Sequence, residues 1–379
     1  MKILLLCWRD TTHPYGGGSE RYLERVGQYL ANQGHQVLYQ TASYPDATAH
    51  ETRDGMIFSR AGGRFSVYPR ALLKLLAGRF GIGELSGVQA IVDTNNGIPF
   101  FARLVANVPV VMLTHHCHRE QWPVAGPFLG RLGWFLESQI VPRICARGPW
   151  VTVSPASARE LHKLGISRRD ITVIGNGVDP IPTYQPLPNT GPRRHLITLS
   201  RLVPHKQLEH AIAALAEIKA TNFGADIVLD IVGSGWWEPE LRKYAAKLKV
   251  TDRVVFHGQV SESQKHALLA RAEIHLMPSR KEGWGLAVIE AAQHEVPTIG
   301  YRSSAGLADS IIDGQTGLLA DAPSEFAQHL QKLLADTVLR KRLGAAAARR
   351  AKLFSWEDTG RQWEELLRRS LAARPAKRN

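Results

Sequence analysis

The sequence predicts an α/β protein made of two doubly wound domains. Three observations predict it. Short runs rich in Ile, Leu and Val recur along the 379 residues, segments with helical spacing separate them, and the rhythm appears twice, on either side of a Pro- and Gly-rich joint. At roughly 100–200 residues per domain, each half can bury a full core, and the expectation is a ligand cleft between the halves.

The first set of runs is KILLLC (2–7), QVLYQTA (36–42), AIVDTN (90–95), VPVVMLTH (108–115), WVTVS (150–154) and ITVIGN (171–176). The second is HLITLSR (195–201), DIVLDIVG (226–233), RVVFHG (253–258), EIHLMPS (273–279) and PTIGYR (297–302). Between them, Leu23, Val26, Gly27 and Leu30 fall at i, i+3, i+4 and i+7, as do Leu208, Ala211, Ile212 and Leu215, the spacing of amphipathic crossover helices. Near-continuous apolar strands alternating with helices imply parallel sheets covered on both faces. The joint is IPTYQPLPNTGPRR (181–194), a linker by composition. Domains are therefore expected at 1–185 and 186–355, with 356–379 as a helix that docks back on the N-terminal domain and ends in a basic tail.

With 44% hydrophobic and 21% charged residues, the composition is that of an ordinary globular protein. The opening MKILLLCWRD is too short in apolar residues for a signal-peptide core, and no run approaches the ~18–20 apolar residues of a spanning helix. Cys7, Cys117 and Cys145, an odd number in a long chain, read as reduced, and the expected location is cytoplasmic. The formal charge is +13, and residues 338–379 hold 12 basic against 4 acidic residues. No zinc-ligand spacing, basic-leucine pattern or aromatic-basic single-strand motif accompanies that excess, so no nucleic-acid partner is expected. The excess fits either a solvated helical face or attraction to an anionic membrane surface. RFSVYPRALLKLLAGRF (64–80), with Leu72, Leu73, Leu75 and Leu76 beside Arg70, Lys74 and Arg79, fits either a crossover helix or a lipid-facing one at the inner face of a membrane.

Open parallel sheets bind ligands beyond the carboxyl ends of their strands. The turn after the first strand carries Gly16, Gly17 and Gly18 ahead of Ser19 and Glu20, a phosphate cradle or a flexible turn. It is neither a G-x-G-x-x-G nor a Walker A sequence. TLSRLVPHKQLEHAI places Arg201 and Lys206 five residues apart after the first strand of the second half, cations suited to a diphosphate. In PSRKEGWGLAVIEAAQHEVPTIG, Gly283, Trp284 and Gly285 precede a helical run, with Glu282 in the loop and Glu290 within the helix. Two carboxylates at that spacing suit vicinal hydroxyls at opposite ends of a nucleotide-sugar; the plainer alternative is a charge–dipole contact for Glu282 and a solvated face for Glu290.

The string E-G-W-G-L-x-x-x-E-A, with P-S ahead and V-P behind, resembles the carboxylate signature of retaining family 4 glycosyltransferases of the GT-B fold, two Rossmann-like domains facing a cleft. The N-terminal glycine loop, His115, VSPASARELHKLGI (153–166), VIGNGVD (173–179), SRLVPHK (200–206), IVGSG (231–235) and VVFHGQV (254–260) agree in order and spacing. The resemblance implies that the Gly16–Gly18 backbone faces the donor, that Arg201 and Lys206 bind its diphosphate, and that Glu290 binds the ribose. It implies further that Glu282 lies near the transferred sugar, that the amides of Gly283, Trp284, Gly285 and Leu286 complete the cradle, and that His115 approaches the donor sugar. Ser200 and Gln207 stand where glycines are common, and Trp284 where Phe is more frequent.

The implied reaction is transfer of a hexose from a UDP- or GDP-sugar to an acceptor hydroxyl on a glycan, a lipid-linked or a small-molecule acceptor, with retention and no assigned protein nucleophile. Front-face attack assisted by the leaving phosphate is the family's favoured view. Adjacent side chains at His115, His116, Cys117 and His118 point to opposite faces of an extended segment, and no C-x2-C or H-E-x-x-H partner appears. The chain also lacks an Asp-x-Asp triplet, so neither a cofactor nor a metal is expected. Open alternatives are a noncatalytic nucleotide-sugar-binding protein, phosphorolysis or epimerisation on the same fold, and a nicotinamide-dependent oxidoreductase, which G-S-G-W-W-E (233–238) only partly supports. Donor and acceptor identity would rest on loop side chains including His13, Tyr15, Asn95, Asn96, Arg119, Glu120 and Trp122.

Overall fold

The computed structural model describes residues 1–122, 126–188, 193–219 and 226–373, with the backbone alone at Lys219. The joint at 189–192 and the basic residues of 374–379 lie outside the described residues. The chain divides into two compact units, Met1–Gly177 with Ser355–Asn379, and Val178–Phe354.

The first unit contains β1 (Lys2–Leu6), α1 (Gly18–Asn32), β2 (Gln36–Thr41), β3 (His50–Arg53), β4 (Met56–Arg60), α2 (Val67–Arg79) and β5 (Ala90–Thr94). After them come β6 (Val110–Thr114), α3 (Pro127–Phe135), α4 (Val141–Cys145), β7 (Trp150–Thr152), α5 (Pro155–Lys163) and β8 (Ile171–Val173). The sheet order among the described residues is β3-β4-β2-β1-β5-β6-β7-β8, parallel except at β3. Alternation along β1 sorts the two faces. Leu4 and Leu6 join the core beneath α2, α4 and α5, whereas Leu5 lies under α1. There Gly27 is required, because a Cβ would sit 2.3 Å from Met56 Sδ and 2.8 Å from Leu5 Cδ1.

The second unit contains β9 (Arg194–Leu199), α6 (Leu208–Lys219), β10 (Ile227–Val232), α7 (Glu238–Lys247), β11 (Val254–Gly258), α8 (Glu262–Arg271) and β12 (Ile274–Met277). It continues through α9 (Leu286–Ala292), β13 (Thr298–Tyr301), α10 (Ala305–Ser310), β14 (Gly317–Ala320), α11 (Pro323–Ala335) and α12 (Thr337–Ala351). Its sheet is fully parallel, in the order β11-β10-β9-β12-β13-β14. Leu208, Ala211, Ile212 and Leu215 all face its core, as their spacing predicts.

Three strands escape the pattern of apolar runs. β3 and β4 form a hairpin whose two-residue turn, Asp54 and Gly55, has positive φ at both positions (51° and 75°). Asp-Gly is a hairpin signal, but His50–Arg53 is polar and Arg60 ends β4, so no apolar run announces the pair. Arg60 is buried there by an ion pair to Asp10 at 2.6 Å. β14, GLLA, is a four-residue buried strand that the eleven runs do not include.

After α12 the chain enters α13 (Trp356–Ala372), which packs along α1 of the first unit. Trp363 is fully buried and its Nε1 donates to Tyr22 Oη at 2.7 Å, while Tyr22 donates in turn to the Ile174 carbonyl at 2.9 Å. A Cβ at Gly360 would meet the Tyr29 ring 2.1 Å away, so the two helices touch backbone to ring. Trp363→Ala is expected to cost about 3–5 kcal/mol. Urea denaturation measures it, and an unchanged midpoint would show that α13 adds nothing to the first unit.

Candidate functional site

In the second unit the winding runs outward from β9 in one direction and from β12 in the other, so the loops after these neighbouring strands border the topological switch point. Arg201 follows β9 and is exposed; Lys206 ends a short 3-10 turn over Pro204–Lys206. Gln207 next adopts φ +50°, the left-handed region that explains the usual preference for glycine there. Glu282 and the Gly283-Trp284-Gly285 turn follow β12. The two loops are joined directly: the Arg280 amide donates to the His205 carbonyl at 2.9 Å, and Lys206 Nζ forms an ion pair with Glu282 Oε1. Both side chains of that pair are nearly buried, at 12% and 11% exposure.

Glycines permit this close assembly. A Cβ at Gly233 would come 1.9 Å from the Ser200 carbonyl oxygen, one at Gly235 2.1 Å from that of Leu202, and one at Gly306 2.3 Å from that of Glu282. The glycines of IVGSG thus serve loop-on-loop packing, which accounts for their partial imitation of a dinucleotide fingerprint. Gly285, at φ +92°, caps α9. The Trp284 side chain is buried edge-to-face on Phe354, ring centroids 4.7 Å apart, so it wedges the turn from behind.

Glu290 has a partner the sequence did not announce. Lys265 of α8 reaches both Glu290 and Glu262 at 2.7 Å. Burial works against the lysine's charge, but the attraction of Glu290 and the bonds to both carboxylates hold its pKa above the ordinary value. Glu290, 21% exposed, is therefore neither solvated nor unopposed. ESQKHALLAR carries no motif that singles out Lys265; folding α8 against α9 does.

In the first unit the Gly16–Gly18 loop is built on carboxylates. Glu20 accepts from the Gly17 amide at 2.9 Å and from Ser19 Oγ at 2.8 Å, and pairs with Arg9 at 3.1 Å. A Cβ at Gly16 would lie 2.7 Å from the Asp10 carbonyl oxygen. Two of the three glycine amides are thus satisfied internally, since the Gly16 amide also donates to the His13 carbonyl at 2.7 Å. Asp10 braces the loop by accepting from the Thr12 and His13 amides, both at 3.0 Å, and Glu24 accepts from the Thr11 amide at 2.7 Å.

His115 directly follows β6. It is buried edge-to-face on Tyr22, ring centroids 5.1 Å apart, and its carbonyl accepts from Ser157 Oγ at 2.7 Å. Its buried Nε2 has no hydrogen-bond partner among the described residues, and burial pushes its pKa down to about 4. Beyond it the alternate rings of His116 and His118 converge, centroids 4.6 Å apart. Among the described residues no group of three or more His, Cys, Asp or Glu side chains is placed to hold a metal ion. Cys7, Cys117 and Cys145 are buried free thiols.

Of the loop residues expected to choose substrates, Trp122 is packed: a Cβ at Gly97 would stand 2.9 Å from its ring and one at Gly133 2.2 Å. Arg119 places its guanidinium 5.7 Å from the Trp134 ring centre. His13 lies near two tyrosines, 5.7 Å from Tyr15 and 5.2 Å from Tyr44 between ring centres, and Tyr15 is 72% exposed.

Residues 16–181 match the family described as Glycosyltransferase Family 4, and residues 185–350 match Glycosyl transferases group 1. The chain belongs to the family 4 glycosyltransferases, and its fold is GT-B. It is 33% identical over 214 residues to a glycogen synthase of Mycobacterium tuberculosis (strain H37Rv), an alignment that covers 55% of this chain and 50% of that protein. The chain thus matches about half the length of this relative. Identity to the MMP alpha-(1->4)-mannosyltransferase of Mycolicibacterium hassiacum is 26% over 420 residues, covering 98% and 99% of the two chains. Among solved structures, sucrose-phosphate synthase from Thermosynechococcus elongatus shares the fold of this family 4 glycosyltransferase with a TM-score of 0.81 at 21% identity, covering 99% of this chain and 100% of that one. Anabaena Alr3699/HepE in complex with UDP-glucose does so at 0.77 and 18%, covering 97% and 100%.

Protonation of buried imidazoles sets a pH dependence. His115 and His294, pushed down to about 4, and His275, to about 3, all from an ordinary 6.5 and all chiefly by burial, are held neutral in the fold. Their folded pKa values lie below the unfolded one, so the stability they contribute is complete above about pH 6.5 and is lost as pH falls toward 4. Thermal unfolding between pH 7 and 4 should show Tm falling across that window, less steeply in His115→Asn. An identical slope in the variant would contradict the assignment for His115.

Proposed function

We propose that this family 4 glycosyltransferase transfers a hexose from a UDP- or GDP-sugar to an acceptor hydroxyl on a glycan, lipid-linked or small-molecule acceptor, with retention and without a metal. The observation that carries the reading is the junction of Lys206 and Glu282 across the β9/β12 switch point. A nearly buried lysine and carboxylate there neutralise each other, and a diphosphate offers the lysine a stronger, multidentate counter-charge. Its arrival releases Glu282 to accept from sugar hydroxyls. Arg201 clamps the second phosphate, the amides of Gly283, Trp284, Gly285 and Leu286 take remaining oxygens, and Glu290, steadied by Lys265, accepts from the ribose hydroxyls. Charge building on the departing diphosphate is met by Arg201 and Lys206, and no protein nucleophile is invoked. In the first unit, the Gly16–Gly18 backbone and His115 are the groups that the family resemblance directs to the donor.

A thermal-shift screen over UDP-glucose, GDP-mannose and ADP-glucose tests donor binding. One nucleotide class should raise Tm in a concentration-dependent way. Glu290→Gln and Lys206→Ala should each weaken that donor about 10-fold or more, the loss of one charge-assisted bond, with each variant's shift read against its own ligand-free Tm. Wild-type donor affinity in both variants would remove these residues from the site.

The reading extends to peripheral contact with an anionic membrane, supported by the surface around α2. Leu75 is buried in the core, but Leu73 and Leu76 are exposed at 65% and 39%, and Phe65, Phe80 and Ile82 are exposed beside Arg64, Arg70 and Arg79. No helix among the described residues is long and apolar enough to cross a membrane. Sedimentation with phosphatidylglycerol-containing vesicles, but not with phosphatidylcholine alone, is the expected result, weakened by Leu73→Asp. Equal recovery in the supernatant with both lipids would dismiss the contact.

A further inference from the structure

The amides of Gly283, Trp284, Gly285 and Leu286 come from a turn with two glycines, whose own backbone preferences fix little. Its shape must come from what packs on it. On one side stands α10: a Cβ at Gly306 would come 2.3 Å from the Glu282 carbonyl oxygen, and one at Gly285 3.0 Å from Leu307 Cδ2 and 3.6 Å from Ser310 Oγ. On another the buried Trp284 ring meets Phe354, the two planes 74° apart.

Phe354 is itself held in place. It follows α12, its amide donating to the Ala351 carbonyl at 3.2 Å, and α12 packs on α9, the helix that the turn opens. A Cβ at Gly344 of α12 would stand 1.9 Å from the Glu295 carbonyl oxygen just past α9, so the two segments touch backbone to backbone. Arg350 then joins the two sides of the turn. Its Nη2 donates to the Asp309 carbonyl at 3.1 Å and its Nε to that of Ser310 at 3.4 Å, both at the end of α10. Its guanidinium carbon lies 5.3 Å from the Phe354 ring centre, within cation–π range. The path closes on itself, from the turn through Trp284, Phe354, Arg350 and α10 back to the turn, and all of it lies within the second unit.

Amide donors stabilise an anion, and the charge that builds on it, only as far as they are aimed before it arrives. A frame closed around a glycine turn supplies that aim. We propose that Arg350 and Phe354 are positioning residues for the donor: acting through α10 and Trp284, they hold the Gly283–Leu286 amides where the oxygens of a diphosphate meet them. This rests on the glycosyltransfer reading above and adds to it two residues that lie outside the carboxylate signature. Neither is required to touch the donor. The planar guanidinium matters because it lies over a ring while its N–H groups reach two carbonyls, a combination that a lysine ammonium does not reproduce. The Phe354 ring matters for its contact with Trp284, the indole that carries one of the four amides.

The test uses the full chain, with UDP, GDP, UDP-glucose and GDP-mannose as probes and Kd read by calorimetry well below Tm. Phe354→Leu, which keeps apolar bulk but removes the ring, should weaken the bound probe about 3–10-fold, the ordinary worth of an edge-to-face contact, and Phe354→Tyr should restore it. Arg350→Met should weaken it by a similar factor, and Arg350→Lys should recover little. Leu353→Ala, an exposed neighbour, should bind as wild type does. A residue that only stabilised the fold would lower the calorimetric stoichiometry and leave Kd unchanged. Trp284→Leu combined with Phe354→Leu should weaken binding no more than the larger single effect, because both remove one contact. Hydrogen exchange at residues 283–286 of the ligand-free chain should be faster in Phe354→Leu. Wild-type Kd in Phe354→Leu or Arg350→Met, unchanged exchange, or effects of Trp284→Leu and Phe354→Leu that multiply, each overturns the frame while leaving the glycosyltransfer reading intact. If Phe354→Leu does not fold, Arg350→Met carries the test. Failure of the wild-type chain to bind any of the four probes overturns that reading first, and the frame with it.

Discussion

A parallel sheet wound outward from two neighbouring central strands leaves one gap that no crossover helix covers, and both units are built this way. In the second unit the reversal falls between β9 and β12, and every candidate donor group lies on the loop after one of these strands or on the helix that follows. Loops from adjacent strand ends converge without any further device. What remains is to pack them tightly enough to present fixed groups, and Gly233, Gly235 and Gly306 do so by letting backbone approach backbone where any side chain would collide. The site's rigidity is thus a property of the sheet's connectivity and of a few missing Cβ atoms.

Charge in these strand-end loops is balanced within the protein. Lys206 meets Glu282, Lys265 meets Glu290 and Glu262, Arg9 meets Glu20, and Arg60 meets Asp10. Removing one partner of such a pair would leave a poorly solvated charge, which costs more than the pair contributes. A ligand that brings its own charges can exchange with such a pair, and a diphosphate linked to a polyhydroxylated sugar brings the complement of both members: anions for the lysine, hydroxyl donors for the carboxylate. The pairs in the second unit are suited to exchange because they are only partly buried. Arg60 and Asp10, at 1% and 0% exposure, are suited to hold the β1 loop in place.

Most of the strand framework was legible because buried parallel strands tend to be continuous apolar runs, and all eleven predicted runs overlap an observed strand, β9 starting one residue before its run. The β3–β4 hairpin was not, since a polar edge strand has no apolar run to display and Arg60 is tolerated inside through Asp10, Glu51 and the Thr48 carbonyl. The helical stripes of α1 and α6 were read correctly because the 3.6-residue period survives in sequence whatever packs against it. Glu282 and Glu290 were legible as a spaced pair, but their lysine partners were not. Lys206 lies 76 positions from Glu282 and Lys265 lies 25 from Glu290, separations set by the sheet order.

By itself, the sequence determined the two-unit α/β plan, the crossover helices, the family to which the chain belongs and the residue types gathered at each strand end, because periodicity, turn chemistry and local spacing are written within a few residues of one another. Tertiary structure decided which charges neutralise which, which glycines are load points for packing rather than cradles for a ligand, that Trp284 is a buried wedge and that Trp122 packs against Gly97 and Gly133. It also decided that His118 faces a buried acid, Glu137, 19 positions away. Each of these depends on how strand order and helix crossings bring distant segments within a few ångströms, and no local pattern in the chain encodes such a distance.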